Sequence, residues 1–416
     1  MKLTINNIGK LKHAEVEING ITVIAGENDT GKSTVGKVLW SIFNGFYKID
    51  EKIYNEKVSE LKKIIDKLLK ESGYDRINDN SNNFFGIFDK TEENIAIDLL
   101  KNNKNYSEEE IKSIINKYKE NLKITDISNF VDEINDTLII PNKEIIKVII
   151  SRVMNKEFHN QINRVLSKEE KNIGEINFEI KEKNIDLKIE NNEILDTRNY
   201  FSINNEIIYI DNLSILDRYN YENENHQTHL EKKVFSENES GVISEIKIKK
   251  KLNNIYEKLN NILSGEILED KNFNFVYKKN GEDLDLKNLS MGLKTFAIIK
   301  MLLQNGTLEE NGTIILDEPE IHLHPEWQIK FAELIVLLQK EFGMHILLTT
   351  HSPYFLKAIQ VYSKKYEIGN KCKYYMSENV GKSSVLVDKT NKTDDLFYKL
   401  AISFENLMNE EELYED

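Results

Sequence analysis

One stretch near the start of the chain constrains the fold more than any other part of the sequence. Residues 26–33 read GENDTGKS and match the glycine-rich pattern G-x-x-x-x-G-K-[ST] of phosphate-binding loops. An apolar run at residues 21–24 precedes this stretch and a helical pattern follows it, which is the context that such a loop requires. An accidental glycine-rich turn would need neither neighbour. The stretch therefore predicts an α/β domain that binds a phosphorylated ligand.

The residue types of this loop suit contacts with a nucleotide. Glycines let backbone N–H groups point at phosphate oxygens, and the N-terminus of the following helix adds positive potential. We expect Lys32 to reach the β and γ phosphates and Ser33 to ligate Mg²⁺. The loop thus predicts a nucleotide bound together with magnesium.

A second motif is an apolar strand that ends in two acids, TIILDEP at residues 313–319. Parallel strands present their carboxyl ends to the ligand crevice of an α/β sheet. We therefore expect Asp317 to hold the magnesium shell and Glu318 to polarise an attacking water. Two acids after a strand can also form an ordinary solvated turn, but their occurrence together with a phosphate loop favours the catalytic interpretation.

A histidine follows another apolar strand, in MHILLTTHSP at residues 344–353. At that position His351 can donate a hydrogen bond to the γ phosphate, or it can hold the geometry of Glu318. A lone histidine at a strand end is more often structural. The neighbouring motifs favour a functional one here.

The fourth motif is NLSMGLK at residues 288–294, followed by a helical run to Gln304. Ser290 and Gly292 stand at the predicted helix start, where free N–H groups and a hydroxyl can bind an anion. Taken alone, this motif favours an ordinary helix cap.

In this order, the four motifs resemble the ABC ATPase superfamily. The strings DEPEIHLHPEWQ at 317–328 and LLTTHSPYFLKAI at 347–359 look most like its AAA15/AAA21 group, which is related to SMC, RecF and OLD-type ATPases. Prokaryotic members of that group often belong to anti-phage defence systems, including Septu-type and retron-associated ATPases. The resemblance implies an α/β ABC-type P-loop ATPase head, with a mixed sheet and flanking helices, and ATP and Mg²⁺ as cofactors.

The resemblance also implies a role for each matching residue. Ser290 and Gly292 match the signature, Asp317 the magnesium carboxylate, Glu318 the general base and His351 the switch histidine. The nucleotide-binding residues of the phosphate loop would be Gly26, Glu27, Asn28, Asp29, Thr30, Gly31, Lys32, Ser33 and Thr34.

Two further family features are less well matched. Residues 321–324 occupy the D-loop position, but His324 stands where transporters usually carry aspartate. Gln161 and Gln227 are both candidates for the Q-loop glutamine.

The resemblance covers about residues 1–45 and 205–416, which we expect to be the two parts of the ATPase head. Residues 46–204 are expected to form a mostly helical insertion. Apolar side chains recur there at helical spacing, as in Val58, Leu61, Ile65 and Leu68. Ser107 and Glu110 match a capping box. Between 173 and 209 the periodicity shifts toward two, which indicates a return to sheet.

The charge and the cysteine content of the sequence bear on nucleic-acid binding and on the cell compartment. A formal charge of −14 and a pI near 5.3 argue against a protein that coats duplex nucleic acid over its whole surface. A local basic face, such as the lysines in 247–251, leaves DNA or RNA contact open. The single cysteine, Cys372, and the lack of an 18-residue apolar stretch predict a cytoplasmic protein without membrane insertion.

The family geometry implies partners as well. A signature helix faces away from its own phosphate loop, so we expect a homodimer, or a higher homo-oligomer, in which each copy completes the ATP site of another. The sequence shows no second catalytic constellation. We therefore expect the chain to be the sensor or regulatory ATPase of a prokaryotic anti-phage defence or DNA-processing complex, controlling a separate effector such as a nuclease or toxin. The alternatives are the nucleotide-binding subunit of an ABC transporter and a nucleotide-sensing scaffold that does not hydrolyse ATP. The long segment between Lys32 and Ser290 disfavours the transporter.

Overall fold

The computed structural model describes residues 1–72, 90–102, 104–118, 127–163, 173–217, 225–236, 255, 257–260, 262–269 and 275–412. The chain divides into two compact units. The larger comprises Met1–Tyr47 and Ile149–Asp416, and the smaller comprises Lys48–Val148. In the described part of the chain, no helix combines the length and the apolar character needed to cross a membrane.

The larger unit is built on a mixed sheet with helices around it. Its strands are β1 (Lys2–Ile8), β2 (Leu11–Glu17), β3 (Ile21–Gly26), β4 (Gly174–Ile180), β5 (Lys183–Glu190), β6 (Glu193–Thr197), β7 (Ile207–Ile210), β8 (Glu266–Glu269), β9 (Phe275–Lys279), β10 (Glu282–Asp285), β11 (Thr313–Asp317), β12 (His345–Thr350), β13 (Cys372–Val380) and β14 (Ser383–Asp388). Its helices are α1 (Lys32–Phe46), α7 (His226–Val234), α8 (Met291–Gln304), α9 (Pro325–Phe342), α10 (Pro353–Lys365) and α11 (Asp394–Glu412), with short 3₁₀ turns at Leu213–Asp217, Leu286–Asn288 and Gly369–Lys371.

Eleven described strands form one sheet in the order β6-β5-β4-β1-β2-β14-β13-β3-β12-β11-β7, and β10-β9-β8 form a second, smaller sheet. The five strands from β13 to β7 run parallel to one another. Their register places Asp317 opposite Thr349, and Thr349 opposite Ile24. The strand ends that carry the predicted motifs therefore meet at one edge of the sheet.

The burial of the strands follows from their sequences. β3 and β7 are buried at every position and β11 at all but its last, because helices cover both faces of a parallel sheet. β5 lies in the antiparallel part, and its apolar residues Ile185, Leu187 and Ile189 alternate with more exposed polar ones. The strands that lead into the motifs, β3, β11 and β12, therefore lie in the buried, parallel part of the sheet.

The smaller unit is helical in its described residues. It contains α2 (Ile49–Glu71), α3 (Thr91–Lys101), α4 (Glu108–Tyr118) and α5 (Ser128–Ile139), and α6 (Asn142–Phe158) begins within its range. Leu61, Ile65 and Leu68 are fully buried in its core, as their spacing predicts. The capping box is confirmed: Ser107 N donates to Glu110 Oε2 (2.9 Å), and Glu110 N donates to Ser107 Oγ (3.3 Å).

The boundaries of the units differ from the expected insertion at 46–204. The compact helical unit ends at Val148, and residues 174–197 form strands of the main sheet, with β4 paired antiparallel to β1. The period-two pattern after residue 173 did indicate these strands, but their partner is distant in sequence. Within the larger unit, α1 lies against the chain that resumes after the helical unit, since a Cβ at Gly45 would lie 2.5 Å from Ile150 Cδ1.

Candidate active site

The phosphate loop joins β3 to α1 and depends on two glycines. Gly31 has a φ of +79°, and a Cβ there would lie 3.0 Å from Leu11 Cδ2. A Cβ at Gly26 would lie 2.8 Å from the backbone oxygen of Ser377 on β13, whose hydroxyl donates to Thr30 O (2.6 Å). Close contact with the neighbouring strands therefore fixes the loop at both ends.

Lys32 is folded inside this loop. Its side chain is 4% exposed, and Nζ donates to Gly26 O (3.1 Å) and Glu27 O (2.8 Å). The same atom lies 3.2 Å from Glu318 Oε1 on the neighbouring motif. The predicted phosphate-binding cation and the predicted general base are thus in direct contact.

The outer part of the loop faces solvent. Glu27, Asn28 and Asp29 are exposed, and Asp29 has a φ of +57°. Lys10 Nζ donates to Asp29 Oδ2 (2.6 Å). Thr30 Oγ1 donates to Glu27 O (2.8 Å), which closes the turn. The conformation leaves the outer surface of the loop open to a ligand.

Two donors from flanking strands orient Asp317 at the end of β11. Tyr209 on β7 donates its hydroxyl to Oδ2 (3.0 Å), and Thr349 on β12 donates its hydroxyl to Oδ1. Burial, reinforced by the charge of Asp317, raises the pKa of Tyr209 well above its usual range, so the phenol remains a donor. The plane of the Asp317 carboxylate is therefore fixed from both sides.

Glu318 has an unusual backbone conformation. Its φ of +48° lies in the left-handed region, which non-glycine residues rarely adopt. Its N–H donates to Thr349 Oγ1 (3.0 Å), and its Oε2 lies 3.5 Å from His351 Nδ1. The structure thus brings Lys32, Glu318 and His351 together, although their motifs are far apart in the sequence.

Glu320 is a site residue to which the sequence pattern gave no role. Its side chain is buried, and Oε1 accepts hydrogen bonds from Thr350 Oγ1 and from the backbone N of His351 (3.2 Å). Burial raises the pKa of this carboxyl. Glu320 therefore fixes the strand end that presents His351. The only sequence signal was a third acid in this motif, directly after Pro319.

A cavity of about 250 Å³ adjoins these groups. It is lined by Ser33, Ile210, Asp211, Asn212, Leu213, Thr295, Ile299, Leu316, Asp317, Glu318, Pro319, Ile321, His322 and Phe331. Ser33 and Asp317 line the same space, and Mg²⁺ prefers oxygen ligands such as a hydroxyl and a carboxylate. The donor set fits magnesium held by these two residues.

The signature residues contact a different part of the unit. Ser290 caps α8 by accepting a hydrogen bond from Leu293 N (3.4 Å). A Cβ at Gly292 would lie 3.2 Å from His322 O, so the start of α8 packs closely on the D-loop segment. His324 caps the next helix, α9, because its Nδ1 accepts from Glu326 N (3.4 Å). The residue at the D-loop position therefore acts as a helix cap.

The two Q-loop candidates lie in different places. Gln227 Nε2 donates to Asp211 Oδ2 (3.1 Å), and Asp211 follows β7 and lines the cavity. Gln161 is exposed in the turn after α6. The structure therefore places Gln227 beside the site. The basic segment 247–251 lies outside the described residues.

A mixed sheet with flanking helices, in which the phosphate loop, the acid pair and the histidine meet at the carboxyl ends of parallel strands, defines an ABC-type P-loop ATPase head. The profile of the AAA_15 family, an AAA ATPase domain, matches residues 1–356. The chain belongs to this family.

Two curated proteins are similar to parts of the chain. The retron Vc95 probable ATPase of Vibrio cholerae serotype O1 biovar El Tor is 31% identical over 107 residues, which are 23% of this chain and 20% of that protein. The retron Ec83 probable ATPase of Escherichia coli is 33% identical over 89 residues, 19% of this chain and 16% of that protein. The matched part of the chain thus spans a fifth or less of the length of these relatives.

Solved SMC head structures also align with the chain. The SMC head domain from Thermotoga maritima is 13% identical with a TM-score of 0.38, and the alignment covers 93% of this chain and 97% of that chain. An SmcHead bound to the C-winged helix domain of ScpA is 13% identical with a TM-score of 0.45, at 93% and 96% coverage.

Proposed function

We propose that this chain binds ATP with Mg²⁺ and hydrolyses it to ADP and phosphate. The observation that carries the proposal is the contact between Lys32 Nζ and Glu318 Oε1 at 3.2 Å, at the mouth of the phosphate loop. Lys32 can bind the γ phosphate, and the carboxylate of Glu318 beside it can accept a proton from the water that attacks this phosphate.

Binding would use the loop backbone and three side chains. The N–H groups of residues 26–34 surround the phosphates, and Lys32 contacts the β and γ phosphate oxygens. Ser33 and Asp317 would hold the magnesium ion, which would neutralise phosphate charge. The hydrogen bonds from Tyr209 and Thr349 keep Asp317 oriented for this task.

In the reaction, Lys32 exchanges the Glu318 carboxylate for phosphate oxygens. Glu318 Oε1 is then free to accept a proton from water as the water oxygen bonds to the γ phosphorus. The bond from that phosphorus to the oxygen bridging it to the β phosphate breaks, which releases ADP. His351, held by its backbone contact with Glu320, donates a hydrogen bond to the γ phosphate.

The active unit would be a two-fold homodimer that works with a separate effector. Ser290 and the start of α8 would contact the γ phosphate bound by the other copy, since a helix N-terminus with a hydroxyl suits an anion. The similarity to two retron probable ATPases supports a role in prokaryotic anti-phage defence, with a nuclease or toxin as the effector.

Measuring ATP binding and phosphate release by the purified chain tests the proposal. We expect turnover that requires Mg²⁺, and we expect Lys32→Ala to lose ATP binding because it removes the charge that faces the β and γ phosphates. Lys382→Ala is a matched control, since Lys382 is exposed in the turn between β13 and β14.

Equal ATP affinity in Lys32→Ala and the wild type would contradict the phosphate-loop assignment. A chain that binds ATP at Lys32 without turnover would instead be a nucleotide-sensing scaffold.

A further inference from the structure

A histidine is buried between two acids behind the candidate active site. His226, the first residue of α7, places Nδ1 2.7 Å from Glu157 Oε1 and Nε2 2.8 Å from Asp211 Oδ2. The backbone N of His226 also donates to Glu157 Oε2 (3.2 Å). The side chain of His226 is 5% exposed and that of Glu157 is fully buried. The imidazole ring is therefore hydrogen-bonded to Glu157 through Nδ1, while Nε2 lies within ion-pair distance of Asp211.

This arrangement is a cluster of ionisable side chains in which one imidazole contacts two carboxylates. Burial alone would lower the pKa of His226, but its contacts with Asp211 and Glu157 raise that pKa to about 9. The resulting imidazolium lies between two carboxylates. Its positive charge offsets part of the free energy that is needed to take them out of water. Breaking the pair with Glu157 would deprive a fully buried carboxylate of the imidazolium, so the geometry of that pair is well defined.

The ring of His226 is stacked on the ring of Tyr209. Their centroids are 4.3 Å apart with an interplanar angle of 24°, and Trp40 contacts His226 edge-on at 6.1 Å. On the α1 side, a Cβ at Gly36 would lie 3.1 Å from the Tyr209 hydroxyl oxygen, so the helix backbone closes on the phenol. Tyr209 is fully buried, and packing restricts its ring to one orientation.

That orientation directs the hydroxyl of Tyr209 at Oδ2 of Asp317, 3.0 Å away. Groups that hydrogen-bond a metal-binding carboxylate from behind set its orientation, and their loss typically weakens metal binding. A continuous line of contacts thus runs from Glu157 through His226 and Tyr209 to Asp317.

We propose that His226 and Tyr209 are positioning residues for magnesium: the histidine, fixed by Glu157 and Asp211, holds the tyrosine ring so that its hydroxyl orients Asp317. The inference rests on the proposed function, because it requires that Asp317 hold magnesium beside a bound nucleotide. Neither residue touches the reacting atoms.

The test is a Mg²⁺ titration of binding to AMP-PNP, a non-hydrolysable ATP analogue. Tyr209→Phe removes one hydroxyl and keeps the stacked ring. We expect the midpoint of the Mg²⁺ titration to rise about tenfold or more, while AMP-PNP affinity in EDTA stays unchanged. Tyr106→Phe is the matched control, because it also removes a buried hydroxyl with a hydrogen bond, to Leu99 O (2.9 Å) in the helical unit.

His226→Gln should raise the midpoint in the same direction, and the double variant with Tyr209→Phe should be no weaker for Mg²⁺ than the single Tyr209→Phe. If His226→Gln fails to fold, Tyr209→Phe decides alone. A Tyr209→Phe midpoint indistinguishable from that of the wild type would overturn the inference, as would a wild-type chain whose AMP-PNP affinity ignores Mg²⁺. Absence of ATP turnover, with normal Mg²⁺-dependent binding, would count against hydrolysis alone.

Discussion

Nζ of Lys32 and Oε1 of Glu318 lie 3.2 Å apart, so the phosphate-loop cation and the acid after β11 form an ion pair. The pair joins two motifs that are distant in sequence and lies next to the cavity that Ser33 and Asp317 line. In the proposed function, both partners act on the same phosphate group.

Glu318→Gln should retain ATP binding and lose hydrolysis by about 100-fold or more, because an amide keeps the shape of the side chain but cannot accept the proton of the attacking water. Binding and phosphate release measured on the same preparation check this. Glu309→Gln, at an exposed position in the loop before β11, is the control. Turnover by Glu318→Gln equal to that of the wild type would remove Glu318 from the catalytic role.

Gly26→Ala should destabilise the chain by about 1–3 kcal/mol, as overpacking typically does. The new Cβ would lie 2.8 Å from the backbone oxygen of Ser377, which belongs to the sheet and cannot move aside cheaply. Gly369→Ala provides the comparison, since no atom lies within 4 Å of a Cβ there. Chemical denaturation of both variants gives the measurement, and equal midpoints would show that the loop has room.

Mixed dimers test the shared ATP site. Lys32→Ala and Ser290→Arg homodimers should each be inactive, because every site lacks either its lysine or its opposing signature. In a mixed dimer both changes fall on one site and the other is intact. Random mixing with independent sites should return about a quarter of wild-type activity.

A crosslink between the two variants must show that mixed dimers form, since strong coupling between sites can suppress the recovery. Mixed dimers that bind ATP at one site, yet are no more active than the separate variants, would contradict a composite site with independent action.

The charge cluster at His226 predicts a pH dependence of stability. Its neighbours are Glu157 from α6, Asp211 and Tyr209 from the end of β7, and Trp40 from α1. The pKa is raised from 6.5 to about 9, so the stabilisation is complete below pH 6.5 and is lost as the pH rises through about 9.

The urea midpoint of the wild type should therefore fall between pH 6.5 and 9.5, by the equivalent of up to about 3 kcal/mol. His226→Gln should lack this component of the fall. The same fall in both proteins would show that His226 is not the titrating group.

The proposed effector predicts a genetic requirement. Cells that carry this gene with its neighbours should show the defence activity, and cells that carry this gene alone should not. An infection assay with each neighbour deleted in turn checks this. Full protection by this gene alone would defeat the idea of a separate effector.

The sequence motifs predicted the site residues that follow strand ends, but not the residues that orient them. The phosphate loop and the pair Asp317 and Glu318 are short motifs at strand ends, and strand direction alone places them at one edge of the sheet. Tyr209 and Thr349 were not foreseen, because their role depends on β7 and β12 flanking β11. That order results from pairing between distant segments, which periodicity does not reveal.

The same limit applies to the unit boundary. Helical spacing in residues 48–148 and period-two spacing after 173 were both visible, but assigning β4 to the main sheet required knowing that it pairs with β1. Likewise, Glu320 is one of many acids in the sequence, and only the fold puts its carboxylate against the backbone of His351.

The close approach of Gly45 and Ile150 bears on how such a chain can be engineered. The polypeptide leaves the larger unit and re-enters it at neighbouring points, so residues 48–148 are attached like a loop whose two ends are already together. Closing the chain with a short linker of glycine and serine in their place would therefore cost little conformational entropy. We therefore expect the main sheet to tolerate excision or exchange of the helical unit, and this position is suited to carry a reporter domain in its place.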